Sequence, residues 1–208
     1  MKAIIWDLDG TLIDSYSAMS SSITKALRDF NINIDQKYIC NYIKRYSVAI
    51  LFDRLVEEYR IKDIEPIIER NALYNEEQNL HIKPLPNAIE ILEILSNQGV
   101  QHFIYTHKSN IAHIILDNLD MKRFFTEVLT IDDGFKRKPD PEAINYLVDK
   151  YSLDKNEVFY VGDRSLDIES AVNAEIKSIL YIPEDSPVKP TKKEDYIIKD
   201  LIEIKDLL

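Results

Sequence analysis

The sequence predicts an α/β fold, a doubly wound parallel sheet with a small inserted α-helical domain. Short apolar runs alternate with segments of helical periodicity over most of the chain, which is the pattern typical of such a sheet. Several of these runs end directly in a polar residue. The stretch 15–80 differs, because it shows helical periodicity without a convincing strand.

Five runs are predicted as strands buried on both faces, because they are short, continuous and rich in β-branched or aromatic residues. They span residues 3–6, 102–105, 128–131, 158–161 and 178–181. A short strand near 196–198 and a final helix are predicted after a polar surface loop at 183–194. In open parallel sheets the reactive groups collect at the carboxyl ends of the strands, where Asp7, Thr106 and Asp163 fall.

Helices are predicted between these strands from apolar residues at helical spacing. One follows an N-cap at Ser109, and another begins at Asp140 and Pro141, read as N-cap and first helical residue. A further helix begins at about Ser165.

The insertion is predicted to be a small helical bundle placed after the first strand. Three apolar stripes at helical spacing run along residues 19–30, 48–59 and 64–73. The proline-bearing segment 83–86 is predicted as the stiff return linker. The predicted domains are a core of residues 1–14 and 83–208 and a helical cap of residues 15–82.

Composition excludes several classes of partner and site. The chain has 208 residues and a formal net charge of −10, which argues against nucleic acid or an anionic membrane surface as partners. Cys40 is the single cysteine, so neither an internal disulfide nor a cysteine-based zinc site is expected. The amino-terminal apolar run is too short for a signal peptide, and we expect a cytoplasmic protein. The oligomeric state cannot be read from the sequence.

Asp7 and Asp9 stand two residues apart at the end of the first strand, where both carboxylates can face one site. Asp7 is the candidate nucleophile, since a carboxylate can form an aspartyl-phosphate. Asp9 is the candidate acid and base, protonating the leaving alcohol and later activating water. The alternative interpretation is that both are ordinary turn residues.

Other polar residues complete a candidate phosphoryl-transfer site. Asp7 and Asp163 are candidate direct ligands of Mg²⁺, and Asp167 lies one helical turn after Asp163 and could reach the metal through water. Lys138 offers a positive charge and Thr106 a hydroxyl donor to the phosphoryl group. A loop lysine and a strand-end threonine are the simpler interpretations.

Four segments together resemble the motifs of the haloacid dehalogenase-like hydrolase superfamily, in the family's order and spacing. The segments are Asp7-Leu8-Asp9-Gly10-Thr11, Thr106, Lys138-Pro139-Asp140-Pro141, and Gly162-Asp163 through Asp167. The helical insertion after the first motif resembles the subfamily that contains phosphoglycolate phosphatases and β-phosphoglucomutases.

The resemblance implies an Mg²⁺-dependent phosphatase that hydrolyses a small phosphorylated metabolite through a phospho-aspartyl intermediate on Asp7. It also implies that the main-chain carbonyl of Asp9 joins Asp7, Asp163 and Asp167 as a metal ligand. The family's dehalogenases lack the second aspartate of the first motif, so Asp9 favours phosphoryl transfer. A phosphomutase of the same fold and a non-catalytic binding protein remain alternatives.

Substrate binding is predicted for Thr106, Lys138, His107 and Arg45. His107 and Lys108 either line the pocket or form a solvated helix start. Arg45 is a candidate contact to the leaving group, although a surface arginine is the simpler interpretation.

The sequence departs from the family's pattern at two positions, Asn87 and Glu175, where glycine is usual. If position 175 needs a left-handed backbone, the glutamate would cost roughly 1–2 kcal/mol of local stability.

Overall fold

The structure is a computed structural model that describes residues 2–208. The chain divides into two compact units. One comprises the residues up to Ile13 together with Pro84–Leu208, and the other comprises Asp14–Lys83. The sequence places the corresponding boundaries at 14/15 and 82/83.

The first unit contains a six-stranded sheet in which all neighbouring strands pair in parallel. Its strands are β1 (Ala3–Trp6), β2 (Gln101–Tyr105), β3 (Phe125–Leu129), β4 (Val158–Gly162), β5 (Lys177–Tyr181) and β6 (Tyr196–Ile198). Their spatial order is β3-β2-β1-β4-β5-β6, the doubly wound order of Rossmann-like sheets. The predicted fold class is confirmed.

The Asp14–Lys83 unit contains four helices. They are α1 (Ser15–Asp29), α2 (Gln36–Arg45), α3 (Val48–Tyr59) and α4 (Glu65–Asn79). The sequence predicts three of them and misses α2, whose apolar signal consists of Ile39 and Ile43, one turn apart. Leu73 was assigned to an apolar stripe but is 60% exposed, so that assignment is wrong.

Four more helices flank the sheet: α5 (Ala88–Asn97), α6 (Ile111–Asn118), α7 (Glu142–Lys150) and α8 (Ser165–Ala174). The predicted N-cap at Ser109 is wrong by one residue, because Asn110 precedes α6. Helix α7 begins at Glu142 rather than at Pro141, although Asp140 still accepts a hydrogen bond from the Glu142 amide at 3.0 Å. The predicted final helix is a 3₁₀ segment at Leu201–Asp206.

Strand β3 was predicted at residues 128–131 but lies at Phe125–Leu129. It is the edge strand next to β2, and only Leu129 of its five residues is buried. The first half of β3 therefore lacks the continuous apolar run that predicts a buried strand. Ile131 begins a short 3₁₀ turn instead.

Asn87 and Glu175 both adopt the left-handed conformation, with φ of 60° and 59°. Glu175 ends α8, where it follows Ala174 as the C-cap. The strain expected at position 175 is therefore present, because a residue with a Cβ is disfavoured in this region.

The strand order reverses between β1 and β4, and this point locates the site. The Asp7 amide donates to the Val161 carbonyl at 2.8 Å, which extends the pairing of β1 with β4 by one residue. Ligands of open α/β sheets bind in the crevice outside the strand ends at such a reversal. In residues 2–208, no helix combines the length and apolar character needed to cross a bilayer.

Candidate active site

Lys138 joins two carboxylates that lie far apart in the sequence. Its Nζ is 2.7 Å from Oδ1 of Asp7 and 2.8 Å from Oδ1 of Asp167. All three side chains are buried. Because charge-assisted hydrogen bonds at these distances are strong in a dry setting, Lys138 fixes both carboxylates in place.

Asp167 is held from its other side by the start of α8. Its Oδ2 accepts a hydrogen bond from the Arg164 amide at 3.1 Å, and Asp167 is 1% exposed. Gly162 allows this approach, since a Cβ at that position would lie 2.4 Å from the Asp167 side chain. The end of β4 can therefore carry no side chain at position 162 while Asp167 keeps its place.

Two buried tyrosines enclose the Lys138 ammonium, and sequence reasoning missed both. Nζ lies 5.1 Å from the ring centroid of Tyr105 and 5.2 Å from that of Tyr160, within the range of cation–π attraction. The Tyr160 hydroxyl donates to the Tyr105 carbonyl at 3.1 Å, and the Tyr105 hydroxyl donates to the Lys136 carbonyl at 2.8 Å. The available signal was two tyrosines within otherwise apolar strand runs.

The two charges of the central pair respond differently to burial. Burial raises the pKa of Asp7 to about 7; Lys138 opposes this change, while Asp167 and Asp9 add to it. Burial lowers the pKa of Lys138, but Asp167 and Asp7 raise it more, so that it stands well above its usual value. Lys138 is therefore a permanent cation, whereas Asp7 needs further positive charge to be fully ionised near neutral pH.

Asp7, Asp163 and Asp167 form a cluster that fits a divalent cation. Each offers a carboxylate oxygen, and these atoms lie within 4.8 Å of one another in a buried setting. Magnesium binds such oxygens at about 2.1 Å, so two oxygens on opposite sides of one ion would lie roughly 4 Å apart. The spacing of the three carboxylates is compatible with that distance. Asp9 is outside this group of carboxylates, and ligation by its main-chain carbonyl stays a prediction.

Thr106 and His107 follow β2 directly. Thr106 is 1% exposed, its amide donates to the Leu129 carbonyl at 2.9 Å, and its Oγ1 accepts from the Lys108 amide at 3.1 Å. The hydroxyl proton of Thr106 can still be donated to another oxygen. His107 accepts a hydrogen bond at Nε2 from the Lys138 amide at 2.9 Å. Burial, with Lys138 and Arg137, lowers the His107 pKa to about 4, so the ring is neutral at pH 7.

Asp9 and Lys108 form a second ion pair at the same edge of the sheet. Nζ of Lys108 lies 2.8 Å from Oδ1 of Asp9, and the two side chains are 8% and 21% exposed. The alternative of a solvated helix start is therefore wrong for Lys108, whose side chain is largely shielded from solvent. Substrate contact by His107 stays a prediction, because the structure shows it on the Lys138 backbone.

Arg45 belongs to the helical unit. It is the last residue of α2, and it is exposed. Its proposed contact with substrate stays a prediction. Asp132 and Asp133, two loop carboxylates, have local roles: Asp132 accepts from the Asn110 amide at 2.7 Å, and Asp133 accepts from the Thr130 amide at 2.7 Å.

The chain is similar to several known proteins. The family model for haloacid dehalogenase-like hydrolases matches residues 4–181. A phosphoglycolate phosphatase of Agrobacterium fabrum is 30% identical over 84% of this chain and 78% of its own length. The pyrophosphatase PpaX of Oceanobacillus iheyensis is 25% identical over 100% of this chain and 95% of its own length.

Among solved structures, a predicted phosphoglycolate phosphatase of Haemophilus somnus superposes with a TM-score of 0.85. It is 25% identical, and the match covers 100% of this chain and 97% of the other.

Proposed function

Since this chain belongs to the haloacid dehalogenase-like hydrolase family, we propose that it is a magnesium-dependent phosphatase acting through a phospho-aspartyl intermediate on Asp7. The proposed substrate is a small phosphorylated metabolite, as the names of the phosphoglycolate phosphatase and pyrophosphatase relatives suggest. The observation that carries the proposal is Lys138, which holds Asp7 and Asp167 at 2.7 and 2.8 Å beside Asp163.

In the first step, a carboxylate oxygen of Asp7 attacks phosphorus, and the bond from phosphorus to the leaving oxygen breaks. Asp9 is protonated at the start of this step and gives its proton to that oxygen, so an ester releases an alcohol. In the second step, water attacks the phosphorus of phospho-Asp7 and gives a proton to Asp9, and the bond from phosphorus to the Asp7 oxygen breaks. Inorganic phosphate leaves, and both aspartates return to their starting states.

Lys138 and Thr106 stabilise the phosphoryl group during both steps. The Lys138 ammonium keeps the attacking carboxylate oriented and offsets the negative charge that gathers on the phosphoryl oxygens. Thr106 offers its hydroxyl proton to one of those oxygens. Asp7, Asp163 and Asp167 would hold a divalent cation, which would supply positive charge that favours ionised Asp7 and offsets the charge of the incoming phosphate.

The test is the release of inorganic phosphate from p-nitrophenyl phosphate, measured with Mg²⁺ and with a chelator. We expect turnover that depends on Mg²⁺ and falls by more than about 10³-fold in Asp7→Asn. A matched control is Asp185→Asn, which removes an exposed carboxylate from the same unit and should keep full turnover.

Turnover without metal dependence, or an Asp7→Asn variant as active as the parent, would contradict the proposal. The fate of labelled phosphate separates a phosphatase from a phosphomutase. We expect the label in inorganic phosphate, and its appearance in a sugar bisphosphate would favour the mutase instead.

A further inference from the structure

Lys108 takes no part in the steps described above, yet its charged end is enclosed beside one of the reacting groups. We propose that Lys108 recognises a negative charge on the leaving group, so that the preferred substrates are phosphate esters or anhydrides whose leaving group is itself an anion. This inference rests on the proposed phosphatase function and names the substrate class of the same site.

The backbone of Lys108 is fixed on both sides. Its amide donates to Oγ1 of Thr106 at 3.1 Å, and its carbonyl accepts from the Ile131 amide at 3.1 Å. The side chain therefore starts from a defined point next to a residue that we assign to the phosphoryl group. A lysine anchored in this way can place its ammonium reproducibly.

The ammonium reaches the leaving-group side of the site. Nζ lies 2.8 Å from Oδ1 of Asp9, the group proposed to protonate the leaving oxygen. An acid must come within about 3 Å of the oxygen that it protonates. When Oδ1 of Asp9 delivers the proton, the Lys108 ammonium lies within about 6 Å of that oxygen, a distance that a carboxylate one carbon away, or a second phosphate, can bridge.

The two enclosed lysines differ in their partners. Lys138 contacts two carboxylates and two tyrosine rings, and its charge is matched within the protein. In the described part of the chain, Lys108 forms a single ion pair, with Asp9, and its side chain is only 8% exposed. An anionic leaving group would give Lys108 a second charged partner, whereas an uncharged one would leave it with Asp9 alone.

The experiment compares two esters of equal length, phosphoglycolate and 2-hydroxyethyl phosphate, with pyrophosphate as a second anionic substrate. We expect the parent protein to prefer phosphoglycolate in kcat/KM. In Lys108→Met, the preference should fall by at least about 10-fold. If Lys108 also pairs with the second phosphate of pyrophosphate, the turnover of pyrophosphate by Lys108→Met should fall together with that of phosphoglycolate.

Lys122→Met is the matched control, since Lys122 pairs with Asp117 at 2.9 Å on the exposed surface of the same unit. It should leave the substrate preference within about 2-fold of the parent. Lys108→Arg keeps the charge and should retain part of the preference.

An unchanged ratio in Lys108→Met, with both esters slowed equally, would overturn the inference and leave Lys108 as a support for Asp9 alone. A parent protein without any preference for the charged ester would overturn it as well. The proposed function fails separately, by absence of turnover on p-nitrophenyl phosphate. Should Lys108→Met be inactive, thermal protection by each ester gives the same comparison: phosphoglycolate should protect the parent more than the variant, and equal protection would overturn the inference.

Discussion

The α/β unit buries charged side chains at its strand ends, whereas the core of the helical unit is apolar. In residues 2–208, the buried aspartates and lysine all lie in the α/β unit: Asp7, Lys138, Asp163 and Asp167. The core of the helical unit consists of apolar side chains such as Leu27, which is fully buried. The first interior depends on matched charges and the second on filled volume, so the two should respond differently to mutation, metal and pH.

The largest effect is expected from Lys138→Met, which removes the charge and leaves Asp7 and Asp167 buried without it. Breaking a buried ion pair costs about 3–5 kcal/mol of the free energy of unfolding, and turnover should fall by at least about 10²-fold. Denaturant unfolding with and without Mg²⁺ measures the first effect. We expect Mg²⁺ to restore part of the stability, because it supplies positive charge to the same carboxylates. A loss that Mg²⁺ does not change would count against charge as the cause.

Leu27→Ala probes the other interior. Removing a fully buried leucine side chain from α1 should cost about 2–5 kcal/mol. Here Mg²⁺ should give the variant no more stability than it gives the parent. If Leu27→Ala and Lys138→Met respond to Mg²⁺ equally, the distinction between the two interiors is wrong.

A smaller, pH-dependent effect is expected at His107. Its pKa in the folded state, about 4, lies below the ordinary value of 6.5. As the pH falls, His107 of the unfolded chain therefore binds its proton at a higher pH than His107 of the folded protein. The stability that His107 contributes is complete above pH 6.5 and is lost as the pH falls towards 4. His107→Gln should weaken this acid dependence while keeping an acceptor for the Lys138 amide. Unfolding curves between pH 7 and 4 test it, and curves of parent and variant that fall in parallel would refute it.

The smallest expected effect lies away from both interiors. Glu175→Gly should raise the free energy of unfolding by about 1 kcal/mol, because glycine adopts the left-handed backbone without strain. Asn87→Gly is the comparison: Asn87 is also left-handed, but its side chain donates to both carboxylate oxygens of Asp200, at 2.8 and 3.0 Å. That variant should gain nothing. Chemical denaturation measures both, and a destabilised Glu175→Gly would contradict the strain argument.

The same contrast explains what could be predicted from sequence. Asp7, Thr106 and Asp163 were found because each directly follows a recognisable strand, and parallel strands bring their carboxyl ends together. The ion pair of Lys108 with Asp9 and the enclosure of Lys138 by Tyr105 and Tyr160 were not found. Those contacts depend on the register of strands that are distant in sequence, which no local pattern encodes.

The helical unit was harder to predict for a related reason. Helix α2 has two buried residues, Ile39 and Ile43, and its remaining positions are polar or partly exposed. Its apolar face is short, because the two isoleucines span a single turn, and the helix packs against α1 and α3. The sequence around an exposed residue such as Arg45 does not indicate a function. An aspartate at the end of a buried strand does, because burying a charge is costly unless the charge is paired or binds a metal.

The bridge from Lys138 to Asp7 and Asp167 has a consequence for the newly made chain. The two carboxylates are contributed by positions 160 residues apart, and the lysine that joins them is synthesised between them. A nascent polypeptide that still lacks α8 has no Asp167 with which to complete the centre. Release of inorganic phosphate from p-nitrophenyl phosphate therefore requires that synthesis has passed Asp167. A ribosome-bound fragment that stops before Asp167 should not hydrolyse this substrate.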